Sequence, residues 1–425
     1  IQDANRVVHN LPGFCCNVIH QNFPGQFKSL APALVEAGHE VCALTLRKFD
    51  GNKWQGISVL NYSTKRVSSK NIHPWLIDFE SKIIRGEACY EAAKEIKDQG
   101  YSPEVIIAHH GWGESLFLKE VWPEAKLAIY CEFYYAPRGL DVGFDPEFPN
   151  ASHSDPCRLH MKNINNLFHI EQADAALSPT QWQADTFPMS FRERIKVCHD
   201  GIDTSALVPN EKAHITLNGS LTLTPEDDVI TYVARNLEPL RGAHIFLRAL
   251  PQVLRRFPSA RVVVVGDDKT GYGAAAPSES SWKEYFLKEA RPNFSDSEWA
   301  RVHFVGFIPY SHFVSLLQIS TVHVYLTYPF VLSWSLIEAM SIGCAVIASS
   351  TPPVLEVIED GRNGMLFDFF DHNALADKIG NLLSDKTLRM ELAERARKHA
   401  IENYDLKTVC LPRQISWING LLDNQ

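Results

Sequence analysis

The chain predicts an α/β fold of two doubly wound parallel-sheet domains, and three observations carry that prediction. Short apolar runs alternate with helical patterns along most of the 425 residues, the signature of strands buried between layers of helices. The alternation lapses between Val208 and Asp228, a stretch rich in Pro, Asn, Thr and Ser, and then restarts. The length also exceeds one ordinary core, so two domains of roughly 200 residues are the default.

In the first half, strands are predicted at Phe14 to Ile19, Glu40 to Leu44, Val105 to Ala108, Lys126 to Tyr130 and Ala175 to Leu177. Helices are predicted over Pro24 to Ala37, Trp75 to Gln99 and Thr180 to Phe187. After the linker come the strand Val229 to Arg235, the helix Ala243 to Phe257, and the strands Arg261 to Gly266 and Val302 to Gly306. The helix Tyr310 to Gln318, the strand Thr321 to Leu326, a helix near Ser335 and the strand Cys344 to Ser349 complete the series. The expected boundaries are 1–210, 211–403, and a terminal helical segment 404–425 that crosses back to the first domain.

A hydrophobic fraction of 45% with 21% charged residues is that of a soluble globular protein. The net charge of -9 argues against a general nucleic-acid surface, although Arg47, Lys48, Lys53, Lys65, Arg66 and Lys70 cluster locally. That cluster reads as a solvated face or as a contact for a membrane or an anionic acceptor. Nine cysteines lack the paired spacing of zinc sites and read as reduced thiols of a cytoplasmic protein. No apolar run approaches the ~20 residues of a membrane span, and no basic-apolar-small leader opens the chain. Residues 1–12, polar, unpatterned and starting at Ile1, read as a trimmed end.

The most informative stretch is Tyr328 to Phe370. Ser333 and Ser335 stand where a helix begins, and Leu336, Ile337, Ala339 and Met340 continue it. Glu338 sits among apolar neighbours, where a carboxylate is costly to bury without partners. It is therefore expected at a cleft, with a ribose diol as a natural donor pair. Gly343 ends the helix, and the loop after Ser349 lies at a strand's carboxyl end, where open parallel sheets bind ligands.

This stretch resembles the donor-binding signature of the family-four retaining glycosyltransferases, in which two glutamates eight positions apart flank a glycine-rich turn. Glu338 is the second glutamate; Phe330 stands at the first, and Val331, Leu332 and Ser333 replace the turn. The resemblance covers nearly the whole chain and implies the GT-B fold, two Rossmann-like domains facing across a cleft. In the family, the first glutamate and the turn's backbone N–H groups reach the donor sugar. Phe330, Val331, Leu332, Ser333 and Glu338 are thereby expected to bind the donor, and the departure at Phe330 bears on which sugar is bound.

Transfer from a nucleotide sugar needs positive charge on the departing diphosphate. Arg235 ends a predicted strand and Arg241 precedes a helix, and the resemblance assigns these places to diphosphate-binding cations. Gly25 follows the first strand where backbone approaches a phosphate or acceptor group, unless the turn is an ordinary strand-to-helix one. His109 and Glu132 end adjacent predicted strands, with Glu132 standing where many relatives carry a sugar-contacting histidine. Its carboxylate either serves the reaction or pairs with Arg138.

The acidic loop Asp141 to Pro149 has no Asp-x-Asp pair. Metal-independent transfer is therefore expected, with no cofactor beyond the nucleoside diphosphate sugar, of UDP or GDP type. The loop Gly266 to Gly273 is expected to skirt the nucleotide. The partners implied are that donor and a saccharide, lipid-linked or other hydroxyl acceptor in polysaccharide or glycoconjugate synthesis. The placement expected is cytoplasmic or peripheral to the inner membrane face, with the basic cluster as the contact. The alternatives are a non-catalytic nucleotide-sugar-binding subunit and another GT-B enzyme such as a sugar phosphorylase.

Overall fold

A computed structural model describes residues 13–422 apart from 149–155, 270, 272, 274 and 278–280. The described residues divide into two compact units, 13–136, 156–201 and 407–422 in the first, and 137–148 and 202–406 in the second. The expectation for residues 1–12 lies outside the described residues, as do the ends of the acidic loop and of the terminal segment.

The first unit is built on β1 (Cys15–Ile19), β2 (Glu40–Thr45), β3 (Lys53–Trp54), β4 (Ile57–Asn61), β5 (Val105–Ala108), β6 (Lys126–Tyr130), β7 (Ala175–Ser178) and β8 (Ile195–Val197). They form one sheet in the order β3-β4-β2-β1-β5-β6-β7-β8, parallel except for the β3–β4 pair. The inner strands β1, β5, β6 and β7 are buried on both faces because helices cover both, whereas β3, β4 and β8 towards the edges carry exposed residues. Cys16, Val18, Val41 and Ile107 pack on one side with Phe27 and Leu34, and Ile19, Leu44 and Ile106 on the other with Cys89 and Leu118. The predicted helix at Pro24 starts as a 3-10 turn, Gly25–Lys28, before the α-helix Leu30–Glu36. The terminal helix Leu411–Asn419 packs Ile418 into the same cluster as Leu34.

The second unit contains β9 (Ile215–Leu217), β10 (Leu221–Leu223), β11 (Val229–Asn236), β12 (Arg261–Asp267), β13 (Val302–Gly306), β14 (Val322–Tyr325), β15 (Val346–Ser349) and β16 (Met365–Phe367). The six later strands form a parallel sheet ordered β13-β12-β11-β14-β15-β16. β9 and β10 pair as an antiparallel hairpin inside the stretch expected to be a linker. Its Leu217 and Leu223 are buried with Val229 and Val263, so the hairpin caps this unit's core.

Among the described residues no helix is long and apolar enough to cross a membrane. Seven of the nine cysteines are buried thiols; Cys15 is partly exposed and Cys157 exposed.

Candidate functional site

In the second unit the strand order runs outward from β11 in one direction through β12 and β13, and from β14 in the other through β15 and β16. The direction of winding therefore reverses between β11 and β14, and doubly wound sheets bind ligands in the crevice at such a point. The two loops that flank it are those carrying Arg235, Arg241 and Phe330 to Ser333.

Arg235 leaves β11 with an exposed side chain. The chain then makes a 3-10 turn, Pro239–Arg241, and enters the helix Ala243–Arg256 through Gly242. Gly242 has φ +70°, and a Cβ there would lie 2.7 Å from Cβ of Leu326, so only glycine brings the two loops this close. Arg241 fastens them together: its Nη1 donates to Thr327 Oγ1 at 2.8 Å and to the Val331 carbonyl at 3.3 Å. The Tyr232 hydroxyl holds the Arg241 carbonyl at 2.5 Å.

The helix Trp334–Ile342 starts at Ser333, whose side chain accepts from the Ser335 N–H. The Ser333 N–H is itself taken by the Tyr325 hydroxyl at 2.9 Å, and the Phe330 N–H by the Tyr328 carbonyl at 2.7 Å. One backbone donor of the turn expected to reach a sugar, that of Ser333, is thus engaged by the end of β14. The side chains of Phe330, Val331 and Leu332 are buried, Leu332 against Leu336, Ile337 and Met340. Glu338 is 6% exposed and accepts from the Tyr310 hydroxyl at 2.7 Å.

Several polar residues at this end of the sheet were not singled out from sequence. Glu238, between the two arginines in sequence, is buried and accepts from the N–H groups of Gly271 and Gly273 at 3.2 and 3.4 Å. Asp145, also buried, accepts from the Tyr328 hydroxyl at 2.7 Å and lies 3.1 Å from His244 Nε2. Burial alone would raise the Asp145 carboxyl, but the His244 and Tyr328 hydrogen bonds outweigh it and hold it below its usual range.

The ligand atoms of Asp145, Glu147 and His244 fall within 4.8 Å of one another, the composition of a cation site. Arg248, however, donates to both carboxylate oxygens of Glu147, at 2.7 and 2.5 Å, and to Glu289. A guanidinium thus already supplies positive charge to Glu147, which belongs to an ion-pair network with Arg248 and Glu289.

The first unit repeats the arrangement, its winding reversing between β1 and β5. Gly25, φ +47°, lies against the His20 ring, where a Cβ would come within 2.4 Å. His20 Nδ1 accepts from the Asn22 N–H, so Nε2 is the protonated nitrogen and donates to Gln26 Oε1 at 2.7 Å. Gln26 Nε2 donates to Glu132 Oε1 at 3.2 Å, and Glu132 Oε2 is 3.4 Å from His109 Nε2. His109 is stacked on Tyr130 and Trp112. Gly25, His109 and Glu132 are therefore one cluster, with His20 and Gln26 as members missed from sequence. Burial raises the Glu132 carboxyl, but its contacts with His109 and Gln26 outweigh that and hold it below its usual range.

Two family descriptions match the sequence: "Glycosyl transferase family 4 group" over residues 37–207 and "Glycosyl transferases group 1" over residues 219–399. The chain belongs to the group 1 glycosyltransferases. Among curated relatives of this glycosyltransferase is the D-inositol 3-phosphate glycosyltransferase of Corynebacterium urealyticum, 29% identical over 72% of this chain and 69% of that protein. The enzyme of the same name from Nocardia farcinica is 28% identical over 54% of this chain and 49% of its own length. The chain thus spans about half of that second relative.

Among solved structures, sucrose-phosphate synthase from Thermosynechococcus elongatus matches with a TM-score of 0.73 at 17% identity, over 97% of this glycosyltransferase and 100% of that chain. HepE from Anabaena, solved with UDP-glucose, matches with a TM-score of 0.65 at 16% identity, over 96% and 99%. At these identities the likeness is one of fold: two Rossmann-like α/β domains with parallel sheets, the GT-B class.

Proposed function

We propose that this glycosyltransferase is a retaining enzyme that moves a sugar from a UDP or GDP sugar to a hydroxyl acceptor, without a metal ion. One observation carries the reading. Arg235, Arg241 and Glu338 all belong to the segments flanking the winding reversal between β11 and β14. On this reading Arg235 and Arg241 meet the charge that grows on the departing diphosphate, assisted by the N-terminus of the helix Ala243–Arg256. Glu338 holds the ribose diol. The leaving phosphate oxygen draws the acceptor proton on the face it departs from, so no enzyme nucleophile is needed.

The first unit takes the acceptor, and Glu132, backed by Gln26 and His109, is the carboxylate it offers there. The names of the relatives, inositol phosphate glycosyltransferases, favour a polyol hydroxyl as acceptor. The exposed basic residues Arg47, Lys48, Lys65, Arg66 and Lys70 suit an anionic or lipid-linked one presented at the cytoplasmic membrane face. Buried, apolar Phe330 favours a second reading, a nucleotide-sugar binder that does not turn over.

The test is a panel of UDP, GDP and other nucleotide sugars incubated with the protein in excess EDTA. Selective release of one nucleotide, undiminished by the chelator, is expected. Tight binding with no release under any condition would favour the binder, and activity abolished by EDTA and restored by a divalent cation would overturn the metal-free chemistry.

A further inference from the structure

Glu338 is oriented by a residue that the donor-site reading does not use. Tyr310 opens the helix Tyr310–Gln318 directly after β13, with Pro309 as the residue before it. Its hydroxyl donates to Glu338 Oε1 at 2.7 Å, in the range of a strong bond to an ionised acceptor. The two residues differ sharply in exposure. Tyr310 is 57% exposed and Glu338 6%, so the phenol lies on the surface of the unit and reaches inward to the carboxylate. Burial first, then the charge of Glu338 and the bond to it, push the Tyr310 phenol far above its ordinary range, so it remains a donor at any working pH.

Its ring packs on Phe313, centroids 5.7 Å apart, and the hydroxyl end turns inward to the carboxylate. What the bond fixes is the plane of the Glu338 carboxylate. That plane matters for a diol, because two adjacent hydroxyls are read together only when both carboxylate oxygens are aimed at them. A carboxylate accepts at about four lone-pair sites, so one bond from Tyr310 is compatible with two from a ribose.

We propose that Tyr310 is a positioning residue for the nucleotide: it orients the Glu338 carboxylate so that this site selects a ribose diol over a deoxyribose. The proposal rests on the assignment of Glu338 to the ribose. It predicts an effect confined to the diol, unlike a contact to base or phosphate, which would act on every nucleotide alike.

The experiment compares UDP with 2′,3′-dideoxy-UDP by calorimetry, for the wild type, Tyr310→Phe and Glu338→Ala, each first checked for an unchanged melting temperature. Wild type is expected to prefer UDP by tenfold or more. Tyr310→Phe should lose about tenfold or more in UDP affinity, the low end of what one hydrogen bond to a charged group is worth, while its affinity for the dideoxy nucleotide stays put. Glu338→Ala should bind both alike. If Tyr310→Phe keeps the wild-type preference, or weakens both nucleotides equally, the positioning role is wrong while the Glu338 assignment stands. If the wild type shows no preference, or Glu338→Ala retains it, the ribose assignment fails and the role of Tyr310 falls with it.

Discussion

Replacing Arg241 with alanine is expected to lower kcat for sugar transfer by ~10²–10³-fold, the usual cost of removing one preorganised group that meets developing charge. Arg241 is well suited to that size of effect because its position is fixed twice over. Its guanidinium is bonded to Thr327 and to the Val331 carbonyl, and its backbone carbonyl to the Tyr232 hydroxyl. A charge held in place before the reaction costs no reorganisation when the diphosphate departs.

The same bonds mean that alanine also unties the β11 loop from the β14 loop, so donor KM should rise as well. Arg241→Lys separates the two contributions. It restores the charge without the planar fork, so kcat should recover in part while the loop contacts do not. Steady-state kcat and KM for the three proteins check this. A kcat for Arg241→Ala within threefold of wild type would remove Arg241 from the diphosphate site. Arg235, exposed at the end of β11, has no such anchoring to lose, and its replacement should act on kcat with less effect on the loops.

Acid is expected to destabilise the protein well above the range where carboxylates titrate. Burial lowers His20, with a further push from His109, to about 4, and burial likewise lowers His169, His199 and His323 to about 4. The hydrogen bonds give an independent reason in two cases. His20 Nδ1 accepts from a backbone N–H. His169 Nδ1 donates to the Asn165 carbonyl, which leaves Nε2 to accept from the Ser115 hydroxyl at 2.7 Å. Protonating His20 breaks an existing bond, and protonating His169 forces the Ser115 hydroxyl to turn from donor to acceptor.

A base whose pKa is depressed in the fold binds its proton more readily when unfolded. The stability it contributes is therefore complete above ~6.5, the unfolded value, and is lost as pH falls from there towards 4. Each such histidine is worth on the order of a few kcal/mol across that window, and four together rival the ~5–15 kcal/mol that holds an ordinary domain. Glu114 works in the opposite direction: fully buried, its carboxyl is raised by that burial, so acid relieves part of its cost. Asp145 and Glu132, both lowered, lose their contribution only at still lower pH. The melting temperature should fall steeply between pH 6.5 and 5. A melting temperature that is flat across that interval would show that these histidines are not held neutral.

The parts of this architecture legible in the sequence are those set by local chemistry. Strands buried on both faces appear as unbroken apolar runs, so Arg235 and Glu132 were placed at strand ends from neighbours alone. Ser333 was legible as a helix start because a hydroxyl cap precedes an apolar, helix-favouring run. The helix Pro156–Gln172 was not, because its buried face carries Asn163, Asn165, Asn166 and His169. These side chains bond to backbone, Asn163 to Tyr135 and Asn165 to His110, so the periodicity that marks the helix is polar. The hairpin β9–β10 was hidden by its Thr, Ser and Asn content, with one buried leucine from each strand and Ile215 and Leu221 packed only partly against the core.

Pairings over long separations were the least legible. Asp145 and Tyr328 are 183 positions apart and Tyr310 and Glu338 are 28 apart, and nothing in either local pattern announces the other. The substitution of Phe330 was visible at once, but not its consequence. Only the structure shows that Phe330, Val331 and Leu332 are buried and that the N–H groups of Phe330 and Ser333 are bonded to Tyr328 and Tyr325.

The most direct test of the account is the binding of UDP to the wild type and to Glu338→Ala, measured by calorimetry in excess EDTA. Glu338 is the residue on which the proposed nucleotide site rests. The account predicts micromolar binding to the wild type and at least a tenfold loss in the variant with its melting temperature preserved. Equal affinity of the two proteins would place the nucleotide elsewhere and contradict the assignment.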